Sequence, residues 1–260
     1  SVAQGEGPDT LHYTDAYLSD RAAMLNALAQ LNTLDATALT NGPGLSSMHY
    51  ADLAQGVAFD VGLPSSVVDK RQIVFGSAVV DQLTGGGKED HLYGGNGADT
   101  LVGLAGADRL EGQDGDDTLD GGAGNDLLVG GVGFDTYVIG GGSGRDMVVD
   151  KDGFGKILWN GSDLPEGKKV FDGVWQSDDS RVSYLLAQDD VNRNDLVVRF
   201  AGSSDALVIR DWTSTRALGI NLSDDTVEMP AIANVLNGDF QKKITEGNYE
   251  LENGNYVAAG

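Results

Sequence analysis

Residues 85–138 read GGGKEDHLY, GGNGADTLV, GLAGADRLE, GQDGDDTLD, GGAGNDLLV and GGVGFDTYV, six units of nine residues that follow one another without a gap. A seventh unit, GGSGRDMVV (141–149), comes after a slip of two residues at Ile139 and Gly140. The shared pattern is G-G-x-G-x-D-x-U-x, in which U is a large apolar residue. A repeat this regular decides the fold of the middle of the chain.

Each place in the unit has a physical reason. Glycines at the first, second and fourth places permit the positive φ angles of a tight loop, where a Cβ would be costly. An aspartate recurs every nine residues, and a large side chain recurs two residues later. Each unit is therefore predicted to be a short strand followed by a tight loop. The side chains that point inward are Leu92, Leu101, Leu110, Leu119, Leu128 and Tyr137.

Two successive units, with loops on opposite sides, make one coil of eighteen residues. Stacked coils lie about 4.8 Å apart, the spacing of paired strands. The inward column gives a narrow core, and at roughly 1.5–3 kcal/mol for each buried leucine it is too thin to order glycine-rich loops alone. A second source of stability is needed.

The aspartates supply that source. Side chains eighteen residues apart lie in adjacent coils, so the spacing predicts that Asp90 faces Asp108, Asp99 faces Asp117, Asp108 faces Asp126, and Asp117 faces Asp135. Bare carboxylates at that spacing repel, whereas a hard cation completed by loop carbonyls binds them together. An oxygen cage of this kind suits Ca²⁺ better than Mg²⁺, and it offers no imidazole or thiolate to Zn²⁺.

The predicted ligand set therefore combines side chains and backbone, and it holds roughly four or five Ca²⁺ ions. The side chains are Asp90, Asp99, Asp108, Asp117, Asp126, Asp135 and, as an end ligand put out of phase by the slip, Asp146. The carbonyls are those around Gly94, Gly95, Gly97, Gly103, Gly106, Gly112, Gly115, Gly121, Gly122, Gly124, Gly130, Gly131 and Gly133.

This array resembles the RTX, or hemolysin-type, repeats of proteins that Gram-negative bacteria export by type I secretion. The resemblance implies a right-handed parallel β-roll that binds Ca²⁺ through the repeat aspartates and the glycine-loop carbonyls. It also implies a chain that is unfolded in the low-calcium cytosol, passes the type I secretion apparatus, and folds outside the cell.

Several positions depart from the pattern. Lys88 replaces the fourth glycine of the first unit, which predicts a weak first site. Leu104 and Gln113 replace second-place glycines and must accept the same backbone shape. Tyr137 is the larger inward residue expected where a roll closes.

The flanks have different compositions, and the whole is expected to be an all-β-dominated fold. We divide the chain into an N-terminal flank of helix and strand (1–80), the β-roll (81–152), a β-rich C-terminal cap (153–230), and a linker or frayed tail (231–260). The predicted cap strands are Lys156–Trp159, Arg181–Ala187, Asp195–Phe200 and Ala206–Trp212, and their aromatic residues could cover the open end of the roll.

The N-terminal flank is predicted to begin with a helix at Tyr17–Leu31. Its apolar stripe would comprise Leu18, Ala22, Leu25, Leu28 and Leu31, and Asp15 or Ser19 could cap its start. This helix could cover the other end of the roll. A weaker helix or loop at 33–38, a turn at 41–44 and a strand at Arg71–Val80 complete the flank.

Net charge and composition exclude several classes of partner. The formal charge is −23, which argues against nucleic acid and anionic membranes. The acid is concentrated: residues 81–152 hold thirteen Asp and two Glu against four Lys or Arg. There is no cysteine, and no apolar run approaches the roughly 18 residues of a membrane span. The first residues lack the features of a signal peptide and also an initiator Met, so we expect a piece of a longer protein.

Other readings of the acidic and catalytic motifs fail. The stretches DGDDTLDG (114–121) and DKDGFGKI (150–157) resemble an EF-hand loop but lack its final glutamate. No G-x-S-x-G, H-E-x-x-H or phosphate-binding loop is present. The segment GLSSM (44–48), with His49 and Asp52, matches no known triad spacing, and His12 and His91 look isolated. The chain itself is therefore predicted not to be an enzyme.

Three functions remain open. The first is a calcium-dependent folding and secretion module that stabilises a larger secreted protein. The second is a part of a secreted lipase-like hydrolase or toxin. The third is a calcium-dependent adhesin module that binds a surface or a glycan.

Overall fold

The computed structural model describes residues 13–33, 47–62, 67, 70–188, 194–213, 218–226, 249–252 and 255–258. One helix, α1, spans Asp15–Thr33. The strands are β1 (Met48–Asp52), β2 (Val57–Val61), β3 (Arg71–Phe75), β4 (Gln82–Thr84), β5 (His91–Asn96), β6 (Thr100–Val102), β7 (Arg109–Asp114), β8 (Thr118–Asp120), β9 (Leu127–Val132), β10 (Asp135–Ile139), β11 (Arg145–Val149), β12 (Gly155–Trp159), β13 (Ser162–Asp163), β14 (Gly167–Phe171), β15 (Val174–Gln176), β16 (Val182–Gln188), β17 (Asn194–Phe200), β18 (Ala206–Ile209), β19 (Leu222–Thr226), β20 (Tyr249–Glu252) and β21 (Asn255–Ala258).

The repeats form a parallel β-roll, as the nine-residue spacing predicts. Strands β3, β5, β7, β9 and β11 lie side by side in one sheet, and β4, β6, β8, β10 and β12 lie side by side in a second. Within each sheet, paired residues of the central coils are eighteen apart in the chain: Leu92 pairs with Leu110, and Leu110 pairs with Leu128. Each coil therefore contributes one strand to each sheet.

The inward residues form one buried ladder. All six predicted members are fully buried, and the ladder continues beyond both ends of the six-unit array. Tyr137 is not its last rung, because Ile157 pairs with it in the following coil and is also buried. At the other end, Leu83 and Val74 occupy the corresponding places. The core is thus longer than the regular repeats alone indicate.

The N-terminal coil comes from a degenerate unit, GSAVVDQLT (76–84). The predicted strand Arg71–Val80 ends at Phe75, because Gly76 begins the loop of this unit. Beyond β3, the first sheet is extended by β1, which pairs parallel to β3, and by the antiparallel β2. The edge of the sheet is therefore a hairpin and not a helix.

The C-terminal strands cap the roll by continuing its first sheet. Strand β18 pairs parallel with β11, and β17 and β16 follow it antiparallel. Their buried side chains, Tyr184 among them, join the same apolar cluster as the leucine ladder, and so does Trp212, which follows β18. Trp159 stacks on Phe200 with ring centroids 4.6 Å apart. Three of the four predicted cap strands are confirmed as β16, β17 and β18, whereas the predicted strand Lys156–Trp159 is β12 and belongs to the second sheet of the roll. Strands β14, β15 and β19 are further strands that the sequence did not indicate.

Helix α1 packs with a face other than the predicted leucine stripe. Leu18 and Leu25 are 53% and 54% exposed, whereas Met24 is 2% exposed. The hydroxyl of Thr14, and not Asp15 or Ser19, accepts the amide of Tyr17 at 3.1 Å and caps the helix. In the described part of the chain, no helix is long and apolar enough to cross a membrane.

The helix lies on the outer face of the first sheet and not over its end. Met24 packs in a cluster with Tyr50, Ile73, Phe75 and Tyr93, which alternate with the inward ladder residues along β1, β3 and β5. Within the predicted tail, strands β20 and β21 form an antiparallel hairpin. The predicted turn at 41–44 and most of the stretch 33–38 fall outside the described residues.

Candidate metal centres

The repeat aspartates stand in two buried columns, one for each side of the roll. In the first column the order is Asp90, Asp108, Asp126, Asp146, and in the second it is Asp81, Asp99, Asp117, Asp135. The Oδ1 atom of each member accepts the backbone amide of the member one coil earlier, over 2.7 to 3.1 Å. Gln72 donates in the same way to Asp90 and begins the first column.

The second carboxylate oxygen, Oδ2, accepts a hydrogen bond in the first aspartate of each column but not in most of the later ones. The Oδ2 atoms of Asp99, Asp108, Asp117, Asp126 and Asp135 are buried and lack a hydrogen-bond partner. Asp90 Oδ2 accepts the amide of Gly86 at 2.6 Å, and Asp81 Oδ2 accepts the amide and hydroxyl of Ser77. A buried acceptor without a partner is costly. The five unpartnered oxygens are therefore the ones that need a cation or a proton.

Three of these oxygens, those of Asp99, Asp108 and Asp117, lie close to a carbonyl oxygen of the next coil, as does Asp90 Oδ2. A Cβ placed on Gly94 would lie 2.5 Å from Asp99 Oδ2 and 2.7 Å from the carbonyl oxygen of Gly112 in the next coil. The same arrangement recurs at Gly85, Gly103 and Gly112, giving four cradles made of an aspartate and a carbonyl. Two acceptors directed at one point repel unless positive charge lies between them.

The first-place glycines are thus required for a reason other than φ. The second- and fourth-place glycines Gly95, Gly97, Gly122 and Gly124 have positive φ, whereas the first-place Gly94 does not. A side chain at the first place would collide with the aspartate and the facing carbonyl. The prediction of positive φ at all three places is wrong for the first place. Glycine is needed there because the aspartate oxygen and the facing carbonyl oxygen leave no space for a Cβ.

The two-residue slip leaves Asp146 in its column. Its Oδ1 accepts the amide of Asp126 at 3.1 Å, and its side chain is buried. The inserted residues are the last residue of β10, Ile139, and Gly140 in the loop after it, and the out-of-phase position expected from the spacing does not arise. Its column is closed by Asp205 of the cap, which accepts the amides of Gly142 and Gly144.

Both ends of the columns are built differently from the centre. No residue in the first loop, 85–90, has positive φ, which accords with Lys88 in place of its glycine. The second column ends at Asp135 because Gly155 pairs with it in the next coil. There Tyr137 donates its hydroxyl to Asp150 at 2.9 Å, and the pKa of Tyr137 is raised by burial.

Burial also changes the acidity of the columns. Burial, reinforced by neighbouring carboxylates, raises the pKa of Asp108, Asp117 and Asp146 to about 7, and that of Asp135 to about 8. Burial raises the pKa of Asp99 and Asp126 as well. The charged form is therefore disfavoured unless a cation compensates it.

The donors present fit a hard cation. Within the described residues, no three carboxylate or imidazole side chains gather at one point. The columns instead offer one carboxylate oxygen together with backbone carbonyls, and all of these donors are oxygen. Irregular cages of six to eight oxygens are typical of Ca²⁺. The buried orphan oxygens and the cradles agree with that ion.

Comparison with known proteins agrees with this geometry. A family model described as the RTX calcium-binding nonapeptide repeat, in four copies, matches residues 75–110 and 102–137. The roll is an array of RTX calcium-binding repeats. The RTX match begins at residue 75 and so includes the degenerate unit with Asp81, which the search for glycine-rich units missed. The sequence feature that identifies this unit is the nine-residue spacing from Asp81 to Asp90 and from Leu83 to Leu92.

Two solved structures are similar to this chain. One is a subunit of the mannuronan C5-epimerase from Azotobacter vinelandii, with 24% identity over 63% of this chain and 90% of that one and a TM-score of 0.24. The other is the extracellular lipase LipA from Serratia marcescens, with 15% identity over 81% of this chain and a TM-score of 0.26. This chain spans 52% of the lipase. No curated protein matches it.

Two of the histidines considered in the sequence, His49 and His91, have structural partners, and His12 lies outside the described residues. His49 contacts Asp60 through Nδ1 at 2.8 Å, while Asp52 pairs with Arg21, so His49 and Asp52 do not form a catalytic pair. Residues 44–46 of GLSSM lie outside the described part of the chain. His91 is not isolated, because Asp20 of α1 contacts its Nδ1 at 2.5 Å. It faces outward from the roll, as expected, but lies beneath the helix.

Proposed function

We propose that this chain is the calcium-dependent folding module of a larger type I secreted protein, and that its roll folds on binding Ca²⁺ outside the cell. The observation that carries the proposal is the set of five buried, unpartnered aspartate oxygens in the two columns. Their repulsion opposes folding until positive charge is supplied. A ligand that binds only the folded state stabilises that state.

The proposed ligands are Asp90, Asp99, Asp108, Asp117, Asp126, Asp135 and Asp146 with the carbonyls of the glycine loops, to which we add Asp81. The four cradles support roughly four or five ions. The central positions are the strong ones, since the second oxygens of Asp81 and Asp90 already accept hydrogen bonds. In this proposal the chain contributes binding and folding and no catalysis.

Calcium titration tests the proposal. Chelated protein at neutral pH is followed by circular dichroism while Ca²⁺ is added, with Mg²⁺ as the matched ion. We expect a disordered spectrum that becomes a β spectrum with Ca²⁺ alone. An unchanged β spectrum in the chelated protein would contradict folding on calcium binding.

A further inference from the structure

A cavity of about 250 Å³ lies between the start of helix α1 and the outer face of the first sheet. Its walls include Tyr13, Tyr17, Arg21, Asp52 and Gln113. It is on the opposite side of the sheet from the leucine ladder, and the repeat aspartates of the two columns are not among its lining residues. Calcium binding therefore does not account for its side chains.

Two hydrogen-bond donors in this cavity have no acceptor. Arg21 Nη1 and Gln113 Nε2 are both buried and without a partner. Buried polar atoms are nearly always hydrogen-bonded, so two orphans on one cavity require an explanation. A ligand with acceptor oxygens would satisfy both.

Gln113 also occupies its position at a conformational cost. It stands at the second place of its unit, where the repeat takes glycine, and its φ is 79°. Left-handed backbone is unfavourable for a residue with a Cβ, and strain of this kind collects at functional sites. Leu104 has the same place and a φ of 76° in the preceding unit, but it is 47% exposed and is not a lining residue. The two residues form a natural pair for comparison.

Aromatic rings make the apolar part of the site. Tyr13 and Tyr17 stack with ring centroids 4.3 Å apart, and Tyr13 is 40% exposed at the edge of the cavity. The guanidinium carbon of Arg21 lies 4.7 Å above the ring of Phe75. A flat apolar surface beside planar polar groups suits a ring that has an apolar face and a polar rim.

Charge decides which kind of ring fits. Arg21 Nη2 pairs with Asp52 Oδ2 at 2.5 Å, so the cavity offers a donor and an acceptor side by side with no net charge. The protein as a whole carries −23 and repels anions. We propose that this cavity binds one hexopyranose unit of a neutral saccharide. Sugar hydroxyls accept from Arg21 Nη1 and Gln113 Nε2, and the ring lies against the tyrosines.

Binding of methyl glycosides tests this site. Calcium-saturated protein is titrated with the methyl pyranosides of glucose, galactose and mannose, by calorimetry and by saturation-transfer NMR. We expect saturable binding of at least one of them. Gln113→Gly should weaken it at least tenfold while the Tm stays the same or rises, because the strained φ is relieved as the amide is lost.

Leu104→Gly is the matched control. It relieves the same strain in the preceding unit and should bind the glycoside as the unchanged protein does. No saturable binding by calcium-loaded protein that has its β spectrum, or equal binding by Gln113→Gly, would overturn the site. Tighter binding of methyl glucuronide than of methyl glucoside would overturn the assignment to a neutral sugar. The β spectrum separates each of these outcomes from a failure of calcium-dependent folding.

Discussion

The amide of Asp126 donates to Asp146 Oδ1 at 3.1 Å although twenty residues, and not eighteen, separate them. Of the two extra residues, Ile139 is the last residue of β10 and Gly140 lies in the loop that follows. Met147 pairs with Leu127, and the ladder position at Val148 is buried. The column of aspartates therefore tolerates an insertion that leaves the following strand in register.

Asp146 should consequently behave as a regular member of its column. We expect Asp146→Asn to lower the number of bound calcium ions by about one, because Asp146 is the last repeat aspartate of its column and faces one repeat neighbour, Asp126. Native mass spectrometry of the calcium-loaded protein measures the number. An Asp146→Asn protein with the full complement of ions would show that the last column position binds no metal.

The central and terminal aspartates should differ. Asp117 Oδ2 has no partner and lies between Asp99 and Asp135 in its column, whereas Asp90 Oδ2 already accepts an amide. We expect Asp117→Ala to remove about two ions and Asp90→Ala about one weakly bound ion. Calorimetric titration measures both, and equal losses would contradict the eighteen-residue coil as the unit of binding.

Acid should stabilise the calcium-free roll. The pKa values of Asp108, Asp117, Asp135 and Asp146 are raised from 3.8 to about 7 or 8, so the folded state binds more protons than the unfolded state between these values. Their contribution to stability is fully present below pH 3.8 and is lost as the pH rises towards 8. The β signal of calcium-free protein should thus be largest near pH 4.5 and be lost as the pH rises towards 8.

Calcium and protons compete for the same oxygens, so the calcium affinity should change in the opposite direction and rise between pH 5.5 and pH 8. Circular dichroism of protein freed of metal by a chelating resin follows the first trend, and calcium titrations at each pH measure the second. A calcium-free β signal that grows with pH over this range would be inconsistent with the buried columns.

Relief of backbone strain should stabilise the roll. Leu104 has a φ of 76° and an exposed side chain. We expect Leu104→Gly to raise the free energy of unfolding by about 0.5–1 kcal/mol, since the left-handed penalty exceeds the entropy that glycine loses. Leu104→Ala keeps the penalty and should give no gain. Denaturant unfolding at saturating calcium measures both, and a less stable Leu104→Gly protein would refute the strain.

The ladder should be sensitive to truncation on its inner face. Leu128 is fully buried, and the adjacent Val129 is half-buried on the other face of β9. Leu128→Ala should cost about 2–5 kcal/mol and Val129→Ala less than about 1.5 kcal/mol. Unfolding with calcium present compares them, and a similar cost for both would mean that the ladder is not the core.

Sequence alone predicts the parts of the molecule that repeat. Glycine, aspartate and leucine at fixed places determine the coil, the ladder and the two columns, because each coil contacts only its neighbours. The degenerate unit with Asp81 was missed since it keeps one glycine of the three, and its first strand was extended to Val80 for the same reason. In this unit, the shape of the loop is set by the hydrogen-bonded pairing of its flanking strands with those of the next coil.

Contacts outside the repeat could not be derived from periodicity. The buried face of α1 depends on Phe75 and Tyr93, which make the outer side of the sheet aromatic, so Met24 is buried and Leu18 and Leu25 are exposed. The orphan donors of Arg21 and Gln113 arise only where helix and sheet meet. The spacing of residues in the repeat gives no information about how helix α1 packs on the sheet.

The first sheet has β2 at one edge and β19 at the other. The N-terminal hairpin and the C-terminal cap are therefore joined through the coils of the roll. Tension applied along this axis would pull neighbouring coils apart and load the hydrogen bonds between them directly. A bridging cation across each pair of coils would carry part of that force. The roll would then act as a tether whose mechanical strength depends on the calcium concentration around it, with the first rupture expected at the weakly bridged coil of Asp90.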